Sequence, residues 1–195
     1  MRTALIAGLA IVVLGAAGCG GSSSSPSNNN AATPKAPEVS PAGDIPDNQA
    51  FVAYSLPGGG FTVKVPEGWS RSNSGGAATF TDKLNTIRVE TAPARAPLTV
   101  TDAKRTDLPK LASSVAGYQP GNVSSVTRKA GTAVRMTYMA DAKANPVTGK
   151  AGKNAVERYV FFHKGKSVIL TLTGPKGADN VDPWKIVTDS VAYTS

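Results

Sequence analysis

Two reactive side chains occur once each in the 195 residues: Cys19 is the only cysteine and His163 the only histidine. A thiol serves as nucleophile, metal ligand or attachment point, and an imidazole as acid, base or ligand. Their neighbours decide among these roles. A Ser-His-Asp triad would have to be assembled around His163. No serine stands in a Gly-x-Ser-x-Gly elbow, and His163 adjoins Lys164-Gly165-Lys166, the place of a solvated strand-end residue. Metal sites need clustered His, Cys, Asp or Glu, and one histidine among scattered acids supplies none. Gly149-Lys150 runs into Ala151 without the leading glycine of a phosphate loop, and Gly58-Gly59-Gly60 leads into a strand-like segment, not a helix. Asp179 and Asp182 precede a helical segment and fit its capping and dipole. No catalytic residue, metal site or cofactor is therefore expected, and the chain is not expected to be an enzyme.

Cys19 has a different context. Arg2 supplies a positive start, Ala4 to Leu14 is an unbroken apolar run, and Gly15 to Gly18 are all small. That order is the anatomy of a secretory signal peptide, expected over Met1–Gly18. The apolar run is shorter than the about 20 residues that a membrane-spanning helix needs. Cys19 after Ala16-Ala17-Gly18 resembles a lipobox, although Ala16 stands where leucine is usual and Leu14 lies two residues earlier. The resemblance implies cleavage after Gly18 and a diacylglyceryl, palmitate-type anchor on Cys19. The expected location is the extracytoplasmic face of the cell membrane. With its one thiol lipidated, the mature chain depends on its core without disulfides.

Behind the anchor, residues 19–50 read as a tether. Gly20-Gly21, Ser22 to Ser25, Asn28 to Asn30 and five prolines (Pro26, Pro34, Pro37, Pro41, Pro46) dominate, with Val39 and Ile45 the only large aliphatic side chains. Such a composition buries too little apolar surface to offset the entropy of ordering, which predicts a disordered spacer roughly 30 Å long on average.

Residues 51–195 have the length of one domain. Period-two alternation predicts strands over Phe61–Val65, Thr86–Thr91 and Thr132–Met139. Val156–His163 and Ser167–Thr173 are richer in β-branched and aromatic residues and flank a tight Lys-Gly-Lys turn, so they predict a hairpin near the sheet centre. Phe51–Leu56, Ala77–Thr81 and Val123–Lys129 are weaker strand signals. One helix is expected from a Thr101 or Asp102 cap to about Val115, with Pro109 either restarting or kinking it. A second is expected with Asp182 as cap, Pro183 first and Trp184, Val187 and Val191 inward. Consecutive strands with few helices imply an α+β domain, an antiparallel sheet flanked by helices.

The segment Gly60-Phe61-Thr62-Val63-Lys64-Val65-Pro66-Glu67-Gly68-Trp69 resembles the opening of the PsbP-like fold. A helix near Leu108–Val115, the strand Arg158-Tyr159-Val160-Phe161-Phe162 and a closing helix with Trp184 and Ser190 follow in the same order. Within that group the chain is most similar to LpqN-type bacterial lipoproteins, which share the lipobox, the tether and the single domain. The resemblance implies an α/β/α sandwich and an accessory role, not catalysis. Trp69, after a turn, is expected to close the edge of the core.

Charge is the remaining signal. The chain is +8, and residues 128–166 carry nine basic side chains against Asp141 and Glu157. Arg128, Lys129, Arg135, Lys150, Lys153, Arg158, Lys164 and Lys166 form the candidate anion-binding face; the same charges also serve as a solubility device. The expected partners are the membrane, through the lipid on Cys19, and an anionic lipid, wall polymer or envelope protein. Nucleic acid is not expected, and the chain is expected to be a monomer. Three functions fit: a non-catalytic binding or accessory module of the envelope, an envelope hydrolase whose active site the sequence hides, or a structural surface protein.

Overall fold

The structure is a computed structural model and describes residues 41–144, 149 and 151–194. Alternating burial organises two antiparallel sheets. In β2 (Phe61–Pro66), Phe61, Val63 and Val65 are buried while Lys64 faces water. This strand is flanked by β1 (Phe51–Ser55) and the short C-terminal β10 (Ala192–Tyr193), which together make a three-stranded sheet. The second sheet has seven strands in the order β3 (Ser70–Ser74), β4 (Ala77–Thr81), β5 (Thr86–Pro93), β9 (Lys166–Pro175), β8 (Lys153–His163), β7 (Gly131–Asp141) and β6 (Gln119–Arg128). The predicted hairpin, β8 and β9, does take the inner positions, and Leu170 and Leu172 of β9 are wholly buried. Each such side chain contributes about 1.5–3 kcal/mol by leaving water.

The seven-stranded sheet buries residues on both faces. On one, Ala78, Phe80, Ile87, Val89, Tyr159, Phe161, Leu170 and Leu172 pack against β2 and against Trp184 and Val187 of the closing helix (Val181–Asp189). Trp69 packs half-buried against this cluster, closing its edge. On the other face, Val123, Val134, Met136, Val160 and Ile169 receive Ala103, Leu108 and Leu111 of the first helix. A helix on each side of a sheet is the α+β sandwich the sequence predicts.

Both helices start earlier than predicted. Thr99, not Thr101 or Asp102, caps the first: its Oγ1 accepts the Asp102 N–H at 3.0 Å. The helix runs without a break through Val100–Asp102, Ala103–Asp107 and Leu108–Ser114. Its middle segment is a π-turn in which the Leu108 N–H reaches back five residues to the Ala103 carbonyl. Pro109 has no N–H to donate and its ring crowds the preceding turn; the widened turn accommodates it, so the helix neither restarts nor breaks. In the closing helix Asn180, not Asp182, holds the cap position, and its carbonyl accepts the Trp184 N–H at 2.9 Å. Pro183 is consequently the third helical residue and is buried.

β3 was not expected. Its residues are Ser-Arg-Ser-Asn-Ser, all exposed, so no alternation marks it. It exists because Gly75 and Gly76 both take positive φ (57° and 77°), which closes a two-residue hairpin onto β4.

The boundary at Phe51 also moves. Ile45 is buried in the main core, and the chain on either side of it is clasped by two buried amides. Asn180 accepts the Ile45 N–H at 2.8 Å and donates to the Gly43 carbonyl at 3.0 Å. Asn85 donates to the same carbonyl at 2.9 Å and accepts from Asn180 at 3.0 Å. Residues 43–45 therefore belong to the domain and not to the spacer assigned to 19–50. The rest of the reading for Met1–Gly18, Cys19 and residues 20–40 lies outside the described residues.

Candidate functional site

The candidate basic face is not one surface. β7 and β8 pair with Arg135 opposite Tyr159 and Met136 opposite Arg158. Arg135 and Arg158 thus differ by one position in register and project from opposite faces of the sheet, so they do not share one surface. Both are ion-paired: Arg135 with Glu157, and Arg158 with Glu90 at 3.3 Å, Arg158 also donating to Thr171 at 2.8 Å. Lys153 opens β8 instead of lying in the preceding loop, and pairs with Asp141 at 2.5 Å. Lys150 and Cys19 lie outside the described residues.

Arg128 enters a second polar group that ties the closing helix to the sheet. Its guanidinium donates to Thr188 at 2.9 Å and to the Tyr159 hydroxyl at 3.2 Å, lies over the Tyr159 ring, and approaches Asp189 at 3.8 Å. Tyr159 in turn donates to Glu157 at 2.7 Å. Burial, then the hydrogen bond to and charge of Glu157, push the Tyr159 phenol up to about 12. Asp189 is held below the usual carboxylate value first by its hydrogen bond from Lys185, with Arg128 adding to it. Glu157 and Asp189 thus answer Arg128, Arg135 and Lys185, and the group fastens the helix to the sheet.

Concavities among the described residues offer further candidates. A groove of about 540 Å³ beside the closing helix gathers Lys64, Lys129 and Lys185, but Asp182 and Asp189 line it too, and Lys185 pairs with Asp189 at 2.5 Å. A hollow of about 300 Å³ lies on the other face of the sheet between Leu98, Val100, Val134, Val160 and Phe162. The third, about 240 Å³, lies at the β8–β9 turn and is lined by Gly59, Gly60, His163, Lys164, Lys166, Val168, Tyr193 and Thr194.

This third pocket is the candidate site. Its basic groups come from one hairpin, whose two-residue turn places Lys164 at φ 43° and Gly165 at φ 79°. The opposite wall is the Gly58–Gly60 turn. Lys166 Nζ donates to the Gly58 carbonyl at 2.9 Å, and the Thr194 N–H donates to the Gly60 carbonyl at 3.0 Å. The His163 ring stacks on Tyr193, with centroids 3.9 Å apart and planes 4° from parallel. Burial raises the Tyr193 phenol above its ordinary value. No acidic side chain among the described residues lines the pocket. Of the eight basic residues proposed, the structure brings together Lys164 and Lys166 here, and adds His163, which the sequence offered only as a strand-end residue. Tyr193 and the glycine turn were missed: they come from β10 and the β1–β2 connection, distant in the chain, and only the turn left a signal, as Gly58-Gly59-Gly60.

No protein-family model matches the chain, and no curated relative does. Solved structures do. Cyanobacterial PsbP (CyanoP) from Synechocystis superposes with a TM-score of 0.53 at 16% identity over 78% of this chain and 98% of its own. The Ran-binding protein Mog1p of Saccharomyces cerevisiae gives 0.52 at 12% identity, covering 75% of this chain and 97% of that one. LpqN of Mycobacterium tuberculosis, described as involved in cell envelope biogenesis, aligns more loosely at 0.45 with 12% identity, over 76% of this chain and 87% of its own. At such identities the likeness concerns architecture, and the superposition on CyanoP gives the domain the PsbP-like fold.

Proposed function

We propose that this chain is a lipid-anchored extracytoplasmic lipoprotein whose PsbP-like domain is a non-catalytic module that binds anionic components of the cell envelope. The signal-like segment before Cys19 supports the anchor. The observation that carries the binding role is the pocket at the β8–β9 turn: Lys164, Lys166 and His163 converge there with no carboxylate in its described lining. Elsewhere arginines and lysines of the same region are neutralised by Glu90, Asp141, Glu157 and Asp189. Unopposed charge concentrated in a concavity is a feature of recognition, whereas dispersed charge serves solubility.

The anchor is tested by metabolic labelling with palmitate. The wild-type chain takes up label and partitions with membranes, and Cys19→Ala loses both; unchanged partitioning of the variant contradicts the anchor. The binding role is tested by sedimenting the full chain carrying Cys19→Ala with purified wall material and with anionic or neutral vesicles across a salt series. Retention by an anionic phase that fades with salt is expected, because screening shortens to roughly 8 Å at physiological ionic strength. Equal retention on neutral vesicles, or indifference to salt, contradicts it.

A further inference from the structure

The pocket at the β8–β9 turn lies at the far end of the domain from the place where the chain enters it. Gly43 packs against the Pro175 ring, so close that a Cβ there would sit 2.5 Å from it. Pro175 ends β9, and Lys166, which borders the pocket, begins it. Ten residues of extended strand separate the two ends, roughly 30 Å at about 3.3 Å per residue.

The donors narrow the ligand. Lys164 and Lys166 each carry an ammonium with three N–H donors, of which Lys166 directs one to Gly58, and His163 adds an imidazole. A carboxylate offers two oxygens in one plane; a phosphate offers up to four around a tetrahedron, with charge enough for two ammonium groups. Val168 and the His163–Tyr193 ring pair give the pocket an apolar side against which a short carbon substituent can rest. Lys164 is held in the left-handed region, a conformation that among the described non-glycine residues only Lys83 shares. A lysine there is strained where asparagine or glycine would be relaxed, and local strain of this kind tends to be retained at working sites.

We propose that this pocket binds the phosphate group of a small water-soluble phosphate ester, or of a wall polymer built from such units. The proposal rests on the envelope-binding reading and narrows it to one pocket and one anion. In the full-length chain held in neutral detergent, glycerol 3-phosphate and inorganic phosphate are titrated by calorimetry at constant ionic strength. Wild type is expected to bind glycerol 3-phosphate saturably and more tightly than chloride. Lys164→Asn, which suits the turn's positive φ, and Lys166→Gln should each weaken it at least tenfold. Lys129→Gln, in the groove beside the closing helix, should stay within twofold.

Vesicles of phosphatidylglycerol, added in the same assay, separate the two sources of the anion. Competition by the soluble ester for a site lost in Lys164→Asn supports the proposal. Binding seen only when the phosphate is on the vesicle overturns it, as does equal binding by the wild type and both pocket variants. A double variant, Lys164→Asn with Lys166→Gln, that still sediments with wall material overturns the pocket but spares the envelope-binding reading. A wild-type chain that holds neither wall material nor soluble ester removes both.

Discussion

The two ends of the β8–β9 hairpin treat polar groups in opposite ways. At the Pro175 end, Asn85 and Asn180 are buried, and their amides satisfy Gly43, Ile45 and each other. At the Lys164 end, the polar groups are cationic, face an open pocket and meet no acid among its described lining. A buried amide with its partners in place specifies one arrangement of the chain, and becomes costly when one partner is lost. A solvated lysine does neither. The difference separates residues that hold the fold from those free to meet a ligand, and it predicts that substitutions at the two ends will be read by different assays.

The largest effects should fall among the residues that hold the fold. Trp184→Ala, which empties a ring site between the closing helix and the sheet, is expected to cost about 3–5 kcal/mol in urea unfolding. A loss under about 1 kcal/mol would mean that the ring does not support the core. Asn180→Ala strands the Ile45 N–H and the Asn85 Oδ1 and removes one of the two donors to the Gly43 carbonyl, and should cost about 2–4 kcal/mol. If the Pro175 end is a clasp and not an incidental contact, amide exchange at Ile45 should accelerate in that variant.

The middle of the scale belongs to the group around Arg128. Tyr159→Phe removes the hydroxyl between Arg128 and Glu157 and should cost about 1 kcal/mol at neutral pH. Its sharper signature is in alkali. The folded phenol is raised to about 12 from an ordinary value near 10, so wild-type stability is fully present below pH 10. It then falls as the pH rises through 12, because the unfolded chain releases that proton first. The Phe variant should lack this part of the fall, and an identical alkaline profile would contradict the assignment. Asp189 runs the other way. Its folded value is depressed, so its contribution is present above the ordinary aspartate value and disappears as the pH falls through the lower folded one. Asp189→Asn should flatten that acid limb.

How far the sequence disclosed this arrangement depends on the range of the forces involved. Strands whose buried and wet faces alternate were legible, because Phe61, Val63 and Val65 declare their side locally. β3 was not, since Ser-Arg-Ser-Asn-Ser has no apolar face and its position follows from the Gly75-Gly76 turn. The clasp on Ile45 escaped because it joins side chains from residues 85 and 180, far apart in the chain, to a segment whose composition reads as spacer. The basic run from Arg128 to Lys166 misled in a different way. Charge adds along a sequence, but a pleated sheet sends Arg135 and Arg158 to opposite faces, and Glu157, Glu90, Asp189 and Asp141 pair with Arg135, Arg158, Arg128 and Lys153. The turn between β8 and β9 keeps its lysines together, because Lys164 lies in the two-residue reversal and Lys166 directly follows it.

The smallest effect on stability is expected at the other end of the comparison, and it gives the most direct test of the division. Lys164→Asn relaxes a left-handed residue and touches no buried contact, so its melting temperature should match or slightly exceed that of the wild type. Melting of both full-length chains is then followed with increasing glycerol 3-phosphate at fixed ionic strength. A ligand that binds only the folded state must raise the melting temperature. The wild type is predicted to rise with added ester while Lys164→Asn stays level. A variant that melts well below the wild type, or that responds to the ester as fully as the wild type does, would contradict the assignment of this end to binding.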